Sequence, residues 1–292
     1  RGLRSDASLK NYSKENIFNK MLELQSIPHV GENIFGHLDT PVLLKFRSVS
    51  KVWKKIAEEV LVKRWKDNTF LALENNEVGV IKLLLEHPKC SNLNWNERQE
   101  YEETKITPLM YACKNGQIKV VELILFYSET KNIFLNMRDS NEVWTAFMYA
   151  CHFGHSDVVK LMLSNQVSKG IHLNSKDQKR RTGFMLACCN GHVDVVQLLL
   201  DKNIDLNVRD DDGWTGLMWA CCYGHKDVVK LILNNSNIEL NARDPDGDTA
   251  LMMACNYGHK DVVQLLLEKS ERIELNSRNN IGRTAFIQAC YF

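Results

Sequence analysis

The sequence predicts an all-α chain built of stacked helix pairs, and three observations carry that expectation. A seven-residue phrase returns along the chain at Thr107 (Thr-Pro-Leu-Met-Tyr-Ala-Cys), Thr145 (Thr-Ala-Phe-Met-Tyr-Ala-Cys), Thr182 (Thr-Gly-Phe-Met-Leu-Ala-Cys), Thr215 (Thr-Gly-Leu-Met-Trp-Ala-Cys), Thr249 (Thr-Ala-Leu-Met-Met-Ala-Cys) and Thr284 (Thr-Ala-Phe-Ile-Gln-Ala-Cys). These threonines stand 38, 37, 33, 34 and 35 residues apart, a period that belongs to a repeat array and not to one globular core. Where the chain runs on, each phrase is followed by Gly-His or its equivalent, then Asp-Val-Val or its equivalent and a leucine run.

Each element of the unit has its own signal. In the unit that opens at Asp210, the run Asp-Asp-Asp-Gly is a turn sequence, and the Thr215 hydroxyl can cap the first helix. Leu217, Met218, Ala220 and Cys221 give that helix an apolar inner stripe. Gly224 can end it in a left-handed conformation. Asp227 opens a second helix whose Val228, Val229, Leu231, Ile232 and Leu233 are nearly all apolar. Such a helix needs cover on both sides, which stacking supplies. A polar tail from Asn234 to Asn241 leads to the next turn at Asp244–Gly247. The segment Thr69–Leu85 is expected as a degenerate first repeat, 38 residues before Thr107 and without the glycine-histidine turn. Pro88–Lys105, Tyr127–Asn132 and Asn165–Gly170 are expected as polar loops.

Composition narrows the function classes. With 44% hydrophobic and 25% charged residues the chain is that of a globular protein. No apolar run is long enough to span a bilayer, so no membrane partner is expected. The chain opens on Arg1 and breaks off at Phe292 inside a repeat, so it is expected to be a piece of a longer protein. Net charge is +1, with the excess of positive charge in the first 67 residues and the excess of negative charge in the rest. That imbalance is too dilute for a nucleic-acid arm. Six of the nine cysteines (Cys113, Cys151, Cys188, Cys221, Cys255 and Cys290) fall at one register position. Equivalent positions on stacked helices lie about 8–10 Å apart, beyond the reach of a disulfide or a shared zinc. They are expected to be free core thiols, which points to a reducing compartment, the cytoplasm or nucleus. His155, His192, His225 and His259 also recur once per repeat, and each is expected to satisfy backbone groups between the helix pair and its loop. No phosphate-binding glycine loop, H-E-x-x-H helix or nucleophile set appears. A non-catalytic chain with no cofactor and no metal is therefore expected.

The repeated phrase resembles the ankyrin repeat, with methionine where histidine is usual at the fourth position. Ala146, Gly183, Gly216, Ala250 and Ala285 stand where proline is usual. The resemblance implies a solenoid over residues 67–292 that binds a protein on its concave face. Family positions facing that groove map to the residue before each threonine and to the end of each first helix. Trp144, Phe153, Arg181, Trp214, Tyr223 and Tyr257 are thus expected to bind a protein substrate. Asp210, Asp211 and Asp212 are expected to form an acidic rim beside them, suited to a partner carrying Lys or Arg.

Before residue 67 the pattern changes to Ile27-Pro28, Ile34-Phe35, Leu38-Asp39, Leu43-Leu44 and Val49-Ser-Lys-Val-Trp53. Asp39 followed by Pro41 is a helix-start signal, and Ser50 can cap the next helix. This ordered set resembles the F-box, over residues 24–66 as a three-helix domain, with Ile17, Phe18, Met21 and Leu22 on a helical extension in 1–23. The resemblance implies docking to a Skp-type adaptor, and through it a cullin scaffold, by Ile27, Pro28, Ile34, Phe35, Leu38, Leu43 and Leu44. The chain would then be the substrate-recognition subunit of a cullin–RING ubiquitin ligase. The alternative is a binding scaffold with no ligase role.

Overall fold

The structure, a computed structural model, describes residues 36, 38–47, 51–141, 143–164, 170–202, 204–269 and 271–290. They fall into two compact units, one ending at Leu93 and the other beginning at Asn94.

In the first unit, α1 (Thr40–Phe46) starts where Asp39 and Pro41 predict, although the Asp39 carboxylate makes no capping hydrogen bond. It packs on α2 (Lys51–Trp65), which in turn meets α3 (Thr69–Glu74) and α4 (Val78–Glu86). Leu43, Phe46, Ala57, Leu61, Val62 and Trp65 form the buried seam of α1 and α2. The Trp65 indole Nε1 donates to Thr40 Oγ1 at 3.2 Å, so the one polar atom of a buried ring is satisfied. Arg64 donates to the carbonyl oxygens of Leu38 and Gly36 at 3.0 and 3.1 Å. The degenerate repeat is present as α3 and α4, in a register two residues from the expected one. Asn76 takes the left-handed position (φ 52°) that glycine takes in later repeats. Asparagine is the side chain that visits this region at least cost. Nine residues earlier, where the later repeats have threonine, stands Asp67, not Thr69.

The second unit opens with a hairpin that the sequence did not predict, inside a stretch expected to be loop. Strands β1 (Gln99–Tyr101) and β2 (Thr104–Ile106) pair antiparallel, Gln99 opposite Ile106. Then come the helix pairs: α5 (Pro108–Lys114) with α6 (Ile118–Phe126), α7 (Ala146–His152) with α8 (Ser156–Met162), and α9 (Gly183–Cys189) with α10 (Val193–Leu200). They continue with α11 (Gly216–Cys222) and α12 (Lys226–Leu233), α13 (Ala250–Asn256) and α14 (Lys260–Leu267), and α15 (Ala285–Ala289). First helices pack on first helices of the next repeat, and second helices on second helices.

The recurring phrase explains the local geometry. Each threonine caps its helix, its Oγ1 accepting the amide three residues on at 3.3–3.4 Å. In three repeats the methionine sulfur at that position accepts the threonine amide in return, at 3.4–3.5 Å. Methionine is therefore more than core filling: it closes a capping box that Glu or Gln usually closes. Each recurring histidine satisfies a backbone carbonyl, and the one it reaches belongs to the preceding repeat. His155 Nε2 donates to Lys114 O, His192 to His152 O, His225 to Cys189 O and His259 to Cys222 O, all at 2.7–2.8 Å. Since a carbonyl can only accept, Nε2 carries the proton in each. The ring also lies over the preceding repeat's turn glycine: a Cβ on Gly224 would stand 2.4 Å from His259 Nδ1, at a φ of +72°. These histidines join one repeat to the next.

The departures from proline also have a packing cause. A Cβ on Gly183 would meet Phe147 Cε1 at 3.1 Å, and one on Gly216 would meet Phe184 Cε1 at 2.6 Å. Where the preceding repeat has leucine instead (Leu109, Leu217, Leu251), the following position is Ala146, Ala250 or Ala285. The residue two past each cap thus sets the room left for the residue one past the next cap. All the described cysteines are free, and Cys113, Cys151, Cys188, Cys221 and Cys255 are buried, whereas Cys290 is exposed. Burial pushes the Cys113, Cys151 and Cys221 thiols far up, so they stay protonated.

Candidate functional site

The turns before α7, α9 and α11 are each organised by one buried acid, Asp139, Asp177 and Asp210. Asp210 Oδ1 accepts the amides of Asp212 and Trp214 at 3.1 and 2.8 Å, and Oδ2 accepts the Trp219 indole at 2.8 Å. Asp139 does the same with Val143, Trp144 and the Tyr149 hydroxyl. These acids fix the turn to the helix that follows. Asp210 is accordingly a correction: it is 5% exposed and fully engaged, so it is no part of an acidic rim. Asp211 and Asp212 are exposed.

Asp139 and Asp210 each head a column of rings that runs down the first helix. Trp144 meets Tyr149 edge-on at 5.2 Å, and Tyr149 stacks on Phe153 at 6.4 Å. Trp214 tilts onto Trp219 at 4.6 Å, Trp219 stacks on Tyr223 at 5.9 Å, and Tyr223 lies along His225 at 6.2 Å. The two columns end in the open side chains of Phe153 and Tyr223, and Tyr257 holds the equivalent place on α13; all three are C-caps of first helices, 40%, 53% and 53% exposed. Trp144 and Trp214 are half-buried. The Trp144 indole donates to Asp177 of the next repeat at 3.3 Å, so this tryptophan braces the neighbouring turn as well as lining the face. Arg181 also serves its own turn, donating to Asp177 Oδ2 through Nε at 2.9 Å, with a second nitrogen at 2.8 Å. Its guanidinium is already matched, which corrects the expectation of an arginine offered to a substrate.

Tyr149 and Trp219 escaped the sequence reading because they sit inside the core phrase. The readable signal was their spacing, four residues before Phe153 and Tyr223, which puts rings on one helix face. His152 lies against Trp144 with ring centres 4.4 Å apart. Burial first, then the positive charges of His192, Arg181 and Lys114, lower its pKa to about 4. Lys114 lies over the Tyr101 and Phe153 rings at 4.5 and 5.6 Å while pairing with Glu102 at 2.7 Å. Among the described residues no group of three or more His, Cys, Asp or Glu could hold a metal. Exposed rings anchored on a rigid stack are suited to contact with another macromolecule.

On the N-terminal unit, Leu43 is fully buried in its own core, while Leu38 and Leu44 are half-buried. Leu44 lies against Gly79, whose Cβ position is 2.9 Å from Leu44 Cδ1. Leu43 is therefore committed to internal packing, contrary to its expected place on a docking surface. Ile27, Pro28, Ile34 and Phe35 lie outside the described residues, as do Ile17, Phe18, Met21, Leu22, Val49 and Ser50. No described helix is long and apolar enough to cross a membrane.

A family model described as "Ankyrin repeats (3 copies)" matches residues 69–177, 127–210, 166–244 and 236–292. No F-box model matches the chain, and no curated protein matches it.

Proposed function

We propose that this chain, which belongs to the ankyrin-repeat family, is the substrate-recognition subunit of a cullin–RING ubiquitin ligase. Repeat arrays of this kind bind proteins on an extended face, and here that face carries Phe153, Tyr223 and Tyr257. Their exposure at the equivalent ends of three first helices, α7, α11 and α13, is the observation that supports partner binding. The ligase role rests on the ordered motifs between residues 24 and 66. The N-terminal unit holds a Skp-type adaptor and the array holds the protein to be modified. Catalysis is then proximity, since the chain raises the local concentration of its partner beside the ubiquitin-loaded enzyme.

A second reading, a scaffold with no ligase role, is favoured by two observations: the family match begins at residue 69, and Leu43 is spent on the unit's own core. Retention of the full chain on immobilised Skp-type adaptor separates the two. The ligase reading expects retention that is lost when half-buried Leu38 and Leu44 become Asp and Lys, because unpaired charge then enters an apolar contact. Flow-through of the parent chain refutes it and leaves the scaffold.

A further inference from the structure

The β1–β2 hairpin reaches the candidate face through one ion pair. Lys114, the last residue of α5, donates to Glu102 Oε2 at 2.7 Å. Its Nζ lies 4.5 Å from the centre of the Tyr101 ring and 5.6 Å from that of Phe153. Tyr101 in turn meets Tyr111 of α5 edge-on at 5.0 Å. The ammonium is thus held against a hairpin ring and one of the open rings of the face, and its side chain is only 14% exposed. A cation sheltered by two rings is attracted to both, and the Glu102 carboxylate fixes it there.

A related contact recurs along the array, and it shows what is special about Lys114. The last residue of a first helix leans on the C-cap side chain of the next repeat: His152 Nδ1 accepts from Asn190 Nδ2 at 3.1 Å, and Cys222 is hydrogen-bonded to Tyr257. Cys189 holds the corresponding place before Tyr223. A thiol is short and leaves its tyrosine open, whereas the lysine stem is long enough to cross a ring. Phe153 is accordingly less exposed than either tyrosine.

An independent observation comes from the hairpin turn. Glu102 is the first of the two residues between β1 and β2, and its φ is +55°. Hairpin turns of this length put glycine, asparagine or aspartate at such a position, and a longer side chain is strained there. Glu102 is 63% exposed, so internal packing does not require it. What glutamate adds over glycine is the carboxylate on Lys114. A strained residue held by one solvent-facing contact is suited to a joint that opens.

We propose that the β1–β2 hairpin is an autoinhibitory latch: Glu102 clamps Lys114 across Phe153, and breaking that pair uncovers the N-terminal end of the face. Its purpose rests on the partner-binding reading above, but the latch is read on the chain alone, so the two can fail separately.

The test puts 4-fluorophenylalanine in place of Phe153 in the full chain and reads the ¹⁹F relaxation caused by a neutral gadolinium chelate. The reference is the same label in place of Tyr223. In the parent, relaxation at 153 should be below that at 223. Glu102→Gly suits the turn and removes the carboxylate, so it should bring relaxation at 153 level with that at 223 while β1 and β2 keep their amide protection. Molar sodium chloride should raise the parent in the same way and add nothing to the Glu102→Gly chain, because salt screens a pair whose carboxylate faces solvent. Glu103→Gln, which removes the neighbouring turn charge, should change nothing. Relaxation at 153 unmoved by Glu102→Gly, or raised as much by Glu103→Gln, overturns the proposal. So does loss of amide protection in β1 and β2 of the Glu102→Gly chain, which would make the pair a contact that the hairpin needs in order to fold.

Discussion

Gly216→Ala is the sharpest probe of how the repeats fit together. Gly216 is the first residue of α11 and has an ordinary helical backbone, so on propensity alone alanine should stabilise by up to about 1 kcal/mol. Its new Cβ would stand 2.6 Å from Phe184 Cε1 and 3.2 Å from Cys188 Sγ. Phe184 is 2% exposed and Cys188 fully buried, so neither can swing away into solvent. Overpacking of this kind costs about 1–3 kcal/mol, which leaves a net loss of about 1–2 kcal/mol and a fall in Tm of about 3–6 °C. Gly183→Ala is the internal control, because its Cβ meets Phe147 and Cys151 at 3.1 Å and a shift of a few tenths of an ångström relieves it. Adding Phe184→Leu to Gly216→Ala should recover most of the loss, giving a coupling of about 1 kcal/mol or more in a double-mutant cycle. Urea unfolding followed by circular dichroism reads all five proteins, Phe184→Leu alone included. Gly216→Ala more stable than the parent, or strict additivity with Phe184→Leu, would refute the size-matching argument.

Other consequences are as direct. His152 is depressed below its unfolded value, so the unfolded chain binds more protons between about pH 4 and 6.5; stability should fall as pH drops through that window, and His152→Gln should flatten the slope in pH-dependent melts. Asp210→Ala strands three donors, including the Trp219 indole, and should cost about 2–3 kcal/mol, while Tyr223→Ala should change Tm little; equal losses would show that Tyr223 serves the interior. Cys221 is fully buried, so Cys221→Arg should unfold its part of the array, seen as lost amide protection; a parental melt would put the residue on the surface. Iodoacetamide at neutral pH should label Cys290 first and the buried register cysteines only on unfolding, read by peptide mass mapping.

The repeat period, the caps and the second helices were legible because each rests on local chemistry written in consecutive residues. From Thr107 onward the threonines, the turn glycines and the valine-leucine runs occupy their expected places, whereas the first repeat is shifted by two residues, with Asp67 at the cap position. What sequence concealed depends on contacts across a repeat, some 35 residues away. The backward reach of His192 to the His152 carbonyl and the pairing of Phe184 with Gly216 are of this kind. The sinking of Asp210 is local instead, through Asp212, Trp214 and Trp219, but three aspartates in a row made it look like surface charge. The β1–β2 hairpin hid in a polar stretch with no apolar alternation to mark it. On the candidate face, the open rings Tyr223 and Tyr257 could be picked out by their place beside the turn glycine. Trp144 and Arg181 occupied equally promising positions, but Asp177 holds both.

The central claim is that partners meet the array at the ends of its first helices. Placing the photo-crosslinking residue p-benzoylphenylalanine at Tyr223, at Tyr257, or at Phe126 tests it most directly. Phe126 closes a second helix and is 76% exposed, more than either tyrosine, so exposure alone favours the wrong site. The account predicts protein adducts from positions 223 and 257 well above those from 126 when each variant is irradiated in cell extract. Adducts from 126 equal to or exceeding those from both tyrosine positions would contradict it.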